Sequence, residues 1–386
     1  MNKLAGILLL AGLLTGCSTM SSIFGDSDNS DPPAALENLT GEVTLTKLWS
    51  ERVGVGYDEQ FIKLVPAVDR NQVFVADRKG HVAAFDAATG KRNWEVKTKA
   101  LISAGPGVGE GLVLVGTSDA EVLALDAANG ELLWKARVSS EVLSVPRIDI
   151  GSVIVQAADG KITALNKSDG QQIWVYDRSV PVLTLRGTSS PAVEHGLVVA
   201  GFSNGKLAAI SAEKGFSLWE TNIAIPSGRS ELERMIDIDG DPIIVGNAVY
   251  VATFQGRVAV VNLKNGDVGW KRDMSSYAGL GVDFSQLYVT DDMSHVWALT
   301  RENGSSVWKL DQLQNRGLTA PVPYDQYVAV GDFEGYLHLL SRRDGHLVGR
   351  VKVDPKGISA RPLVQGNILY VYGNSGTLAA YTLPVR

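Results

Sequence analysis

The residues in this chain whose types could do chemistry are few and dispersed. Cys17 is the single cysteine, so neither a disulfide framework nor a redox pair of neighbouring thiols can form. The five histidines, His81, His195, His295, His338 and His346, lack the paired close spacing of zinc ligands and read as ordinary turn and strand residues. Asp237-Ile238-Asp239-Gly240-Asp241 opens like a calcium loop. The twelfth position counted from Asp237 is however Ala248, where the bidentate Glu would stand, so no metal is expected. No Gly-x-x-x-x-Gly-Lys phosphate loop occurs, and no nucleophile elbow or other nucleophile is expected. The chemistry that remains is recognition, and recognition depends on the elements that hold its residues in place.

Composition bounds those elements. The chain has 386 residues, 45% hydrophobic and 20% charged, with 41 glycines, which excludes a disordered or collagenous bulk and supplies ample core. A net charge of −6 argues against nucleic-acid binding, where Lys and Arg must neutralise phosphates. The head of the chain differs from the rest. Lys3 precedes an apolar run, Leu4 to Leu14, that is too short to span a bilayer, and Leu14-Thr15-Gly16-Cys17 then resembles a bacterial lipobox. The resemblance implies cleavage after residue 16 and lipidation of Cys17. Ser18 at the following position, where an Asp would favour inner-membrane retention, implies the outer membrane. A signal peptide is therefore expected over residues 1–16. A flexible tether, rich in Ser, Asp, Asn and Pro, is expected over 17–42.

From Val43 onward the sequence repeats. Trp49, Trp94, Trp134, Trp174, Trp219, Trp270 and Trp308 recur at intervals of 38 to 51 residues. Six of them follow a turn phrase such as Asp86-Ala-Ala-Thr-Gly90 or Asp126-Ala-Ala-Asn-Gly130, and a seventh phrase, Ser341 to Gly345, leads to Gly349 where the Trp is due. Alternating apolar residues punctuated by Gly and Asn-Gly every eight to twelve residues predict short antiparallel strands. Residues 43–386 divide into eight modules of about 43 residues, the length of a propeller blade. The last module stops at Arg386 before its Trp strand, whereas Val43 to Trp49 is a Trp strand without a module. The predicted fold is all-β: an eight-bladed β-propeller of four-stranded antiparallel blades, its last blade closed by the N-terminal strand. The Gly residues of the turns and the Trp residues between blades are expected to be scaffold. Gly349 is expected to weaken one blade joint.

Irregular connections single out one surface. The usual distance from a blade's Trp to the next Pro is 12, as from Trp94 to Pro106, but it grows to 17 from Trp174 to Pro191 and 23 from Trp219 to Pro242. Equivalent connections of a cyclic repeat emerge on one rim, so the two enlarged loops are expected side by side. The first holds Leu183, Leu185 and Arg186, apolar anchors beside a cation. The second holds Ser230-Glu-Leu-Glu233, a capping-box pattern for a short helix, and then Asp237 and Asp239.

The repeat resembles the tryptophan-docking motif of quinoprotein-like propellers. Together with the lipobox and the loops Leu183-Thr-Leu185-Arg186-Gly and Asp237-Ile-Asp239, it resembles the BamB lipoprotein family of the outer-membrane β-barrel assembly (BAM) machine of Gram-negative bacteria. That resemblance implies a non-catalytic scaffold lipoprotein without cofactor or metal, lipid-anchored at the periplasmic face of the outer membrane. It implies binding to the periplasmic (POTRA) domains of the central β-barrel subunit through Leu183, Leu185, Arg186, Asp237 and Asp239, with nascent outer-membrane proteins as a further candidate partner. The alternative is a periplasmic quinoprotein-like (PQQ) oxidoreductase. By resemblance those enzymes hold their quinone with a disulfide of adjacent cysteines, which this chain lacks.

Overall fold

A computed structural model describes residues 31–39, 43–177, 188–226, 229–230 and 234–384. Eight sheets follow one another in chain order, and the first strands of most successive sheets touch, so these strands line a common axis. Within a blade the second and third strands are continuous apolar runs, such as Gln72–Ala76 and His81–Asp86, because both of their faces pack on neighbouring blades. The outermost strand, as in Arg92–Lys97, buries only its Trp.

The tryptophans explain the repeat. Each indole Nε1 donates to a turn carbonyl of the following blade: Trp49 to Ala87, Trp94 to Ala127, Trp134 to Lys167, Trp174 to Ala212, Trp219 to Leu263, Trp270 to Arg301 and Trp308 to Arg342, at 2.7 to 3.2 Å. The glycine of that same turn lies flat under the incoming ring. At Gly90, with φ +73°, a Cβ would sit 2.6 Å from the Trp49 ring, so the position needs both the left-handed backbone and the missing side chain. Asp86 ties the turn by accepting from the Thr89 amide at 2.8 Å.

Ring closure uses both ends of the folded chain. Thr46–Arg52 pairs antiparallel with Thr377–Thr382 as the outermost strand of blade 8. Blade 8 then abuts blade 1, where Tyr370 and Tyr372 donate their hydroxyls to the carbonyls of Ala87 and Ala76 at 2.8 and 3.0 Å.

The structure corrects three expectations in detail. Blade 2 has a fifth strand, Lys63–Leu64, running parallel to Ile102–Gly109 on its axial edge. The folded unit begins at Ala34, ahead of Val43. The Ala34 amide donates to the Gln314 carbonyl at 2.9 Å, while Arg316 and Arg350 donate to the carbonyls of Ala34 and Glu37. Those anchors are backbone carbonyls, which is why Pro-rich and acidic residues serve there as well as any.

Gly349, finally, leaves no hole. A docking Trp needs a turn in the next blade, and blade 8 offers none, because its outermost strand comes from the other end of the chain. The incoming chain takes the space instead: the Val43 amide donates to the Val348 carbonyl at 3.0 Å, and Val43 and Leu45 pack beside Val348 and Tyr381. A Cβ on Gly349 would lie 2.6 Å from the Val43 carbonyl oxygen. Gly349→Ala is therefore expected to cost about 1–2 kcal/mol through overpacking. Urea unfolding of the variant measures this, and an unchanged midpoint would mean that the entering chain yields without strain.

Candidate partner-binding site

The meander decides which loops share a rim. Strands one and three of a blade run one way and strands two and four the other, so blade-to-blade connections emerge beside the turns between second and third strands. The two enlarged connections, from blade 3 to 4 and from blade 4 to 5, belong to that rim. Leu183, Leu185 and Arg186 of the first lie outside the described residues, as does Cys17. The exit of that loop is described: Thr188 leads into Ser189 and Ser190, both fully buried. In the second loop the expected short helix falls largely on residues 231–233, also outside, though the Arg234 amide donates back to the Ser230 carbonyl at 3.2 Å.

The remainder of the second loop is firmly seated. Ile236 and Ile238 are buried, and Ile238 fills the space over Gly201, where a Cβ would come within 2.2 Å of it. The Asp237 backbone pairs with Phe254, whose amide donates to its carbonyl at 2.8 Å. Asp237 itself is 4% exposed and lines a recess together with Gln156, Thr188, Ser189, Phe202 and Ile238. The two loops thus meet in their described parts, since Thr188 and Asp237 are walls of one recess.

The acids of this loop differ in their electrostatics. Asp239 has both carboxylate oxygens buried without a hydrogen-bond partner among the described residues. Burial pushes its pKa up to about 6, against the pull of Lys63. Asp241 is the reverse. Burial would raise it, but Lys63 and Arg147 together with the Ser190 amide hold the carboxyl below the usual carboxylate range. Its Oδ1 accepts from Lys63 Nζ at 2.5 Å and from the Ser190 amide at 2.6 Å, and Arg147 reaches Oδ2 at 3.4 Å. Asp241 is thus bound inside the protein. Lys63 and Arg147 were not among the residues expected at this site, and the sequence offers no local signal for a partner 178 residues away.

The structure also places the spacings and side chains that could have meant catalysis or metal. Gly201-Phe202-Ser203-Asn204-Gly205 does match the spacing of a nucleophile elbow, contrary to expectation, but it is the hairpin turn between Leu197–Gly201 and Lys206–Ser211. A strand-turn-strand lacks the strand-to-helix turn that exposes such a serine. Among the described residues no three His, Cys, Asp or Glu side chains converge as metal ligands. His81, His295 and His338 instead pair with turn carboxylates, Asp77, Asp291 and Asp332.

Comparison with known proteins decides the family. The chain is 46% identical, over 99% of each sequence, to outer membrane protein assembly factor BamB of Pseudomonas aeruginosa. It belongs to the BamB family. The family profile described as outer membrane protein assembly factor BamB matches residues 34–101 and 78–310. The crystal structure of BamB from Moraxella catarrhalis superposes with a TM-score of 0.80 at 26% identity, covering 88% of this chain and all of the other. A quinohemoprotein alcohol dehydrogenase from Comamonas testosteroni aligns with a TM-score of 0.68 at 14% identity, covering 90% of this chain and 78% of that enzyme, a likeness of fold alone. Membership of the BamB family agrees with the eight-bladed ring and its Trp-docked turns.

Proposed function

We propose that this chain is a non-catalytic docking subunit of the machinery that assembles outer-membrane β-barrel proteins. In this reading it binds the periplasmic (POTRA) domains of the central barrel subunit through the rim carrying the two enlarged loops. The observation that supports this most is the meeting of both loops at one recess, with the buried Asp239 carboxylate, unpartnered among the described residues, close by in the second loop. A partner cation that reached this carboxylate would meet an acceptor to which no described residue donates a hydrogen bond. Leu183, Leu185 and Arg186 supply the anchors, and Asp237 is met by a group that enters the recess. Quinone-dependent oxidation, the alternative, lacks the adjacent cysteines.

The test is affinity for the isolated periplasmic domains of the central subunit. Leu183→Ala, Leu185→Ala and Arg186→Ala are each expected to weaken binding about tenfold, roughly 1–2 kcal/mol, with unchanged melting. Unchanged affinity, or affinity lost only in step with stability, would return these residues to scaffold.

Anchoring belongs to the same proposal. No helix among the described residues is long and apolar enough to cross a membrane, and lipid on Cys17 is the proposed attachment at the periplasmic face of the outer membrane. Cys17→Ala is expected to leave the propeller folded and free of membranes. Retention of that variant after a high-salt wash would contradict the lipid as sole anchor.

A further inference from the structure

Asp241 sits where the exits of both enlarged loops converge. Its Oδ1 accepts from the amide of Ser190, three residues past the end of the first loop's Leu-Arg-Gly run, and Asp241 itself lies two residues beyond Asp239 in the second. The cations that hold it come from elsewhere on the ring. Lys63, on the extra axial strand of blade 2, bridges Asp241 Oδ1 and the Thr188 carbonyl, the latter at 3.3 Å. Arg147, at the start of the innermost strand of blade 3, bridges Asp241 Oδ2 and the Pro191 carbonyl, the latter at 3.3 Å. Each cation therefore holds the second loop through a side chain and the first loop through its backbone.

We propose that Asp241 is a positioning residue, an ionic clamp that locks the exits of the two loops, at Thr188–Pro191 and at Asp241, to each other and to the channel wall, so that both loops approach the partner from one fixed base. Nothing in this role requires Asp241 to touch the partner, and its oxygens are already taken. The inference rests on the reading that these loops form the partner-binding face. Fixing that shared base before binding removes part of the ordering that would otherwise oppose association. A neutral residue at 241 leaves Lys63 and Arg147 without their shared counter-charge and frees Thr188–Pro191 from the second loop.

The experiment has two arms on the full propeller, with Asp241→Asn, Asp241→Glu and Lys63→Met. In the partner-free arm, amide hydrogen exchange at Thr188, Ser189 and Ser190 is expected to quicken at least tenfold in Asp241→Asn and Lys63→Met, with recovery in Asp241→Glu. In the binding arm, Asp241→Asn is expected to weaken affinity for the central subunit's periplasmic domains about tenfold. Leu185→Ala should then cost less in the Asp241→Asn background than in the native one, because both changes act on one face. Unchanged exchange at 188–190 overturns the clamp whatever the partner does. Accelerated exchange with fully additive binding losses overturns the positioning role. If the native protein fails to bind those domains, the functional reading falls, and the exchange arm alone then decides the clamp.

Discussion

A chain that begins at Glu51, without Val43 to Ser50, is expected to lose most of its stability. The deletion takes Trp49, which stacks on Phe85 and meets Tyr370 at a tilt, with centroids 6.5 and 5.9 Å away, and donates to the Ala87 carbonyl. It also takes most of the ladder between Thr46–Arg52 and Thr377–Thr382, and the Val43 and Leu45 contacts that fill the joint at Gly349. Removing a buried Trp side chain alone costs about 3–5 kcal/mol. Adding an opened ring and a newly exposed strand edge brings the expected loss above about 5 kcal/mol, with aggregation through the free edge of Thr377–Thr382. Thermal and urea unfolding measure this. A melting temperature equal to that of the full propeller would show that the ring does not depend on this strand.

Asp239→Asn is expected to move stability and binding in opposite directions. A carboxyl whose pKa is raised on folding, here from 3.8 to about 6, holds its proton more tightly in the folded state. Its contribution favours folding below about pH 4 and is lost as pH rises to about 6, so above that the buried charge costs up to about 3 kcal/mol. The Asn variant carries no such charge and should be more stable than the native protein at pH 7.5, with the difference vanishing by pH 4. The same variant should bind the partner more weakly, because a neutral amide offers a cation less. Melting curves at both pH values and one affinity measurement check it. A variant no more stable at pH 7.5 would mean that the Asp239 carboxylate is satisfied by groups other than a partner.

The ring was legible in the sequence because its determinants are local and repeated. A Trp, a turn residue that is Asp, Asn, Ser or Thr, and a Gly at fixed offsets describe one joint, and seven copies describe the ring. What escaped reading was carried by groups without a repeating signature. The strand Lys63–Leu64 is too short for any periodicity, and its place is set by the free edge of Ile102–Gly109. Arg316 and Arg350 grip Ala34 and Glu37 through carbonyls, which any residue provides, so a stretch that composition assigns to a tether is partly held. Gly349 looked like a weakened joint because the missing turn of blade 8 becomes visible only once the ring is closed. Loop length singled out one rim of the disc. It could not separate Asp239, whose oxygens accept no hydrogen bond from the described residues, from Asp241, which the distant Lys63 and Arg147 hold, since both are simply acids two residues apart.

In the proposed function the propeller works by holding another protein and performs no chemistry of its own. Purification of the native protein with its neighbours from detergent-solubilised outer membranes tests this most directly. A large β-barrel protein should be retained in stoichiometric amount, and lost when Leu183 and Leu185 are replaced together by Ala. Recovery of the propeller without any barrel protein, or carrying a bound redox cofactor with a visible spectrum, would contradict it.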